Sequence, residues 1–253
     1  MTVAPLAWFV ERLAGDAVEV ETLLPPGASP EQFEPAVRER KALNRAAVLV
    51  EVGHPAFSFE TVWLAPRVRE RPALRTVAAW NRGEAGGHDP HVWMSPDVAL
   101  DLVDALAPAL AEVLPDDRAG IEVRRASLRD EIEALDRSIA GRLAPYRGRR
   151  FSVFHPAWSA FADRYGLIQV AAEDHGDEPG PEHLAELIDL ARSEQVRTVF
   201  VQPQFPERGV RVLADEVGAA VEVLDPLAPD WAANLDRTVD RLVASFRSDD
   251  ARP

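Results

Sequence analysis

The sequence predicts an α/β protein of two lobes, each a mostly parallel sheet flanked by helices, joined by one long rigid helix. Three observations predict it. Short β-rich runs alternate with helical patterns over most of the chain, the signature of parallel α/β units. One stretch, residues 116 to 146, breaks that alternation and carries a single apolar stripe. At 253 residues, 47% apolar and 28% charged, the chain is long enough for two folded domains and too apolar to be disordered.

Taken in order, Pro5 to Leu13 reads as an amphipathic helix with proline in its first turn and Gly15 at its end. Val18 to Leu24 alternates like a strand and stops at Pro25-Pro26-Gly27. Ala47 to Val52 is a continuous apolar run ending at Gly53, as expected of a strand buried on both faces. Further strands are expected at Leu74–Trp80, Arg150–Phe154, Leu167–Ala171, Val196–Val201 and Ala220–Leu224, with helices at Glu182–Ser193, Glu207–Val217 and Trp231–Phe246. Within the long central stretch, Leu128, Ile132, Leu135, Ile139 and Leu143 recur at helical spacing. A helix of that length spans roughly 40 Å and is a stiff backbone rather than a loose hinge. The expected division is a lobe at 1–115, the connecting helix at 116–147 and a second lobe at 148–253.

Composition removes several classes of function. Acidic residues exceed basic ones to give a formal charge of −14, which disfavours nucleic acid as a partner. The absence of cysteine excludes disulfide scaffolds, iron–sulfur clusters and thiol catalysis. No run of apolar residues approaches the ~20 needed to cross a bilayer. The first residues lack a basic segment leading into an apolar one, so the chain is expected to be made without a signal or to represent a mature or trimmed form. A nucleophile elbow, a phosphate-cradling loop and a His-Glu-x-x-His helix are all missing, and Lys41 is the only lysine.

Ligands of open α/β sheets bind beyond the carboxyl ends of the strands, and the polar residues that follow the expected strands are consistent in type. His54 follows the second strand after one glycine, and Glu31 and Gln32 follow the first through a Pro/Gly loop. His88 and His91 follow the third, and His155 the fourth. Glu173, Asp174 and His175 then follow the fifth, Gln202 the sixth and Asp225 the last. Imidazole nitrogens with carboxylate oxygens suit zinc, manganese and related ions. Two of each around a divalent ion leave a formally neutral first shell that tolerates burial. A metal-dependent hydrolase using Glu173 and a metal-bound water is the enzymatic alternative.

The same residues resemble a known family, the zinc- and manganese-binding receptors of ABC importers. Pro25 to Pro35 resembles its first signature loop, Asp89-Pro90-His91-Val92-Trp93-Met94-Ser95-Pro96 its second, and Phe154-His155-Pro156-Ala157-Trp158 its third. Val201-Gln202-Pro203-Gln204-Phe205 and Leu224-Asp225-Pro226-Leu227 resemble the closing segments. The resemblance implies a monomeric, non-catalytic receptor, periplasmic or extracellular at a membrane. It would carry Zn2+, with Mn2+ the next choice, to a membrane permease, and an adhesin on the same scaffold is a further alternative. It also implies His91, His155 and Asp225 as metal ligands. Where the family usually has histidine this chain has Glu31. The fourth ligand is then Glu31 itself, moving preference toward manganese, or His54, giving a three-histidine set that suits zinc. The rigid strand-end placement of His54 favours it slightly. Asp89 is expected to orient the His91 ring, and Gln202, where the family often has glutamate, to support the site from behind. His88 receives no role, and His175 and His183 are expected to face solvent.

Overall fold

A computed structural model describes residues 1–80, 89–171, 188, 192, 197–205, 211 and 214–250. The chain forms two compact units, one of Met1–Arg137 with Leu227–Ala232, the other of Ser138–Pro226 with Ala233–Pro253.

In the first unit α1 (Pro5–Ala14) leads to α2 (Val37–Arg45) and β1 (Val48–Glu51). A π-helical turn at Phe59–Leu64 runs into α3 (Ala65–Arg69), followed by β2 (Arg75–Ala78) and α4 (Pro96–Val113). β1 and β2 pair in parallel with Leu49 opposite Thr76, and the ladder continues to a bond from the Trp80 N–H to the Val52 carbonyl at 2.8 Å. The expected strand at Val18–Leu24 is not a regular strand. Pairing begins at Glu21, whose carbonyl accepts the Met1 amino group at 2.9 Å, and continues through Leu23 N–H to Met1 O and Leu24 N–H to Thr2 O, while Thr2 N–H bonds Val50 O. Residues 1 and 2 thus lie between this segment and β1. Leu6, Phe9 and Leu13 of α1, Leu102 and Leu106 of α4 and Leu49 and Val50 of β1 are buried, with α1 packed on α4 and α4 on β1. Trp231 closes this core, its ring 5.1 Å from Phe9 and its Nε1–H donating to the Trp93 carbonyl at 2.7 Å.

The turn that ends β1 is fixed by a buried carboxylate. Glu60 Oε1 and Oε2 accept the N–H groups of Val52 and Gly53, each at 2.7 Å. Burial pushes the Glu60 carboxyl up to about 7, although those two N–H groups hold it lower than burial alone would. A carboxyl raised in the folded state adds stability below the unfolded value near 4.5, and that stability is lost as pH rises toward 7. Between pH 5 and 7.5 this one group is expected to cost about 2 kcal/mol. Urea unfolding of wild type and Glu60→Gln at the two pH values checks it: the wild-type loss should exceed the variant's by that amount.

α5 (Arg118–Leu143) is one unbroken helix. Its apolar stripe supplies Leu128 and Ile132 to the first unit and Ile139 and Leu143 to the second, all buried. The second unit continues with β3 (Arg150–Val153), α6 (Ser159–Tyr165), β4 (Ile168–Ala171), β5 (Thr198–Val201), β6 (Ala220–Val223) and α7 (Trp231–Asp250). Its sheet is wholly parallel in the order β4-β3-β5-β6. Leu235, Val239, Leu242 and Phe246 of α7 fall three and four apart, and all are buried. The helices expected at Glu182–Ser193 and Glu207–Val217 lie mostly outside the described residues.

Candidate metal centre

In the first unit the loop after Pro25-Pro26 turns at Gly27, with φ +79° and Ala28 N–H bonded to Pro25 O. It brings Ser29 and Glu31 forward. The Ser29 hydroxyl donates to Glu31 Oε2, and Glu31 Oε1 lies 3.7 Å from His91 Nε2. His91 is buried, held on its other side by Asp89, whose Oδ1 accepts the His91 backbone N–H at 2.9 Å and Nδ1 at 2.6 Å. A carboxylate only accepts, so Nδ1 is the donor in this bond and Nε2 is the ring nitrogen on the Glu31 side. At 3.7 Å the two atoms are too far apart to hydrogen-bond. Two ligands about 2.1 Å from one tetrahedral ion are themselves roughly 3.4 Å apart. The pair therefore has the separation of two ligands on one ion. A carboxylate behind the imidazole is also the usual second partner of a metal-binding histidine.

His54 sits where the sequence placed it, one residue beyond the β1 ladder, and is 1% exposed. Its Nδ1 accepts the Ala56 N–H at 3.2 Å, and its ring packs 5.4 Å from Trp80. An imidazole that accepts at Nδ1 carries its proton on Nε2 when neutral. His54 forms no three-membered group with Glu31 and His91 in which the ligand atoms lie within 4.8 Å of one another.

The second unit presents its residues at three neighbouring parallel strands. His155 follows β3, Gln202 follows β5 and Asp225 follows β6, with Phe154 N–H bonded to Phe200 O and Leu224 N–H to Val201 O just before them. Gln202 holds His155 from both sides, accepting its N–H at 3.3 Å and donating to its carbonyl at 2.7 Å. The His155 ring stacks on Phe205 with centroids 4.9 Å apart and planes 28° from parallel. Asp225 Oδ1 accepts Gln204 Nε2–H at 3.0 Å, and Asn234 Nδ2–H donates to the Asp225 carbonyl at 2.7 Å. His88, Glu173, Asp174, His175 and His183 lie outside the described residues.

Ser29, Glu60 and Gln204 escaped the sequence reading. Ser29 had a signal, since a serine two residues before a carboxylate in a Pro/Gly loop is placed to bond it. Glu60 and Gln204 had none, because their partners are set by the folded chain.

The chain matches over residues 1–245 the family model described as ZnuA, zinc-uptake complex component A, periplasmic. The chain belongs to the ZnuA family. A crystal structure of ZnuA superposes with a TM-score of 0.87 at 33% identity, covering 96% of each chain. The zinc-binding lipoprotein AdcA of Streptococcus pneumoniae serotype 4 (strain ATCC BAA-334 / TIGR4) is 27% identical over 250 residues, 89% of this chain and 49% of its own length. This ZnuA-family chain thus spans about half of that relative. A putative metal-binding protein of Thermotoga maritima is 26% identical over 250 residues, 96% of this chain and 87% of its own.

Proposed function

We propose that this ZnuA-family chain is an extracytoplasmic receptor that captures a divalent transition metal and delivers it to the permease of an ABC importer. Zinc is the first cargo and manganese the second. Relatives named as zinc-binding and zinc-uptake proteins support the cargo class. The observation that carries the reading is the Glu31–His91 pair at 3.7 Å, with the imidazole proton drawn to the far side by Asp89.

The proposed ligands are Glu31, His91, His155 and Asp225. Two neutral imidazoles and two carboxylates cancel the ion's charge, which suits the buried histidines. Glu31 serves in place of His54, because the Ala56 N–H takes the His54 Nδ1 lone pair and leaves the ring proton on Nε2. Competition between zinc and manganese, followed by elemental analysis, tests the assignment in wild type, Glu31→Ala and His54→Ala. The expected result is one metal per chain, affinity kept in His54→Ala and lost in Glu31→Ala. The reverse pattern would reject Glu31 as a ligand.

Asp89 acts through the His91 ring. Asp89→Ala is expected to weaken metal binding by about 10–100-fold, read by chelator competition.

A further inference from the structure

The ligand-bearing end of the second unit is organised by one loop, Gln202 to Phe205. Gln202 is 2% exposed and grips the His155 backbone through two hydrogen bonds. Phe205 stacks on the His155 ring and packs against a buried cluster of Phe154, Val199 and Val201. Gln204 lies between these two anchors, so its amide is held by a tethered backbone. That amide donates to Asp225 Oδ1 at 3.0 Å. Asp225 cannot swing away from it easily, because Asn234 on α7 fixes the Asp225 carbonyl.

We propose that Gln204 is a selectivity-determining residue that restricts Asp225 to binding the cargo ion through one oxygen, Oδ2. This rests on Asp225 being a ligand, as proposed above. A carboxylate oxygen that already accepts an N–H in a charge-assisted bond is a weaker donor to a metal. One-oxygen binding keeps the coordination number at four, which suits the tetrahedral preference of zinc. Two-oxygen binding raises it to five or more, which suits ions that take oxygen-rich, octahedral shells, manganese among them. Gln204 thus biases the site toward zinc by denying the second oxygen, and it touches the ion in neither case.

The test uses the full chain with Zn2+, Mn2+ and Co2+ as probes, comparing wild type, Gln204→Met, Gln204→Glu and Asp225→Ala. Methionine keeps the length of the side chain and removes the donor. Glutamate keeps its shape and replaces the donor with an acceptor. In both Gln204 variants the zinc-over-manganese affinity ratio is expected to fall roughly tenfold, the worth of one charge-assisted bond. The visible absorption of the Co2+ complex should weaken, as four-coordinate cobalt gives way to a higher coordination number. Thermal unfolding of the metal-free variants reads any structural cost separately, and a merely structural role would weaken zinc and manganese binding alike, leaving their ratio and the cobalt spectrum unchanged. If Asp225→Ala loses affinity while both Gln204 variants keep the wild-type ratio and cobalt spectrum, the Gln204 proposal fails and the ligand assignment stands. If Asp225→Ala retains full affinity, the ligand assignment fails and takes this proposal with it.

Discussion

Replacing His91 with alanine is expected to lower zinc affinity by more than about a hundredfold, because loss of a ligand exceeds the 10–100-fold cost of losing an outer-shell partner. The same substitution should leave the protein folded. Asp89 still accepts the backbone N–H of residue 91, so the turn keeps its anchor. The ring's packing neighbour Trp93, 5.1 Å away, is itself held through its carbonyl by Trp231. The cost in stability should be about 1–3 kcal/mol, the ordinary range for a single change of this kind. Calorimetric titration with zinc, beside circular dichroism of the metal-free variant, separates the two effects. Wild-type affinity in a folded His91→Ala protein would remove His91 from the ligand set.

The second large effect is on stability. Gly53 has φ +77°, and a Cβ added there would lie 2.6 Å from the Ala78 side chain and 3.0 Å from the Trp80 carbonyl. Gly53→Ala therefore incurs both a left-handed backbone penalty and overpacking against β2. Together these should cost about 3 kcal/mol, or on the order of 10 °C in the unfolding midpoint for a chain of this size. Gly27 is the control. Its φ is +79°, yet nothing lies within 4 Å of an added Cβ, so Gly27→Ala should cost only about 1 kcal/mol. Thermal scans of both variants check this; equal losses would mean that the contact with β2 contributes nothing. Gly53→Ala should also displace the N–H that Glu60 accepts, so its loss should be larger at pH 7.5, where that carboxyl is mostly ionised, than at pH 5.

The placement of the candidate ligands was legible because strand ends are written locally. An apolar run closed by glycine put His54 beyond β1, and a run closed by Phe154 put His155 beyond β3. The stripe from Leu128 to Leu143 identified α5. Alternation alone misread Val18–Leu24, because pairing depends on what the folded chain places alongside, which alternation does not encode. The proposed choice of Glu31 over His54 draws on features of the same kind. It turns on one N–H, from Ala56, and on the distance between residues 31 and 91, which sequence spacing does not encode. The same holds for Gln204 and Asp225, which are 21 residues apart and meet only because β5 and β6 are neighbours.

The most direct test of the metal-receptor reading is a crystal structure grown with zinc, with an anomalous difference map collected at the zinc edge. One strong peak is expected about 2.1 Å from His91 Nε2, bonded also to Glu31, His155 and Asp225, with His54 still accepting from Ala56. A peak bound through His54 in place of Glu31, or one leaving His91 and His155 in separate environments, would contradict it.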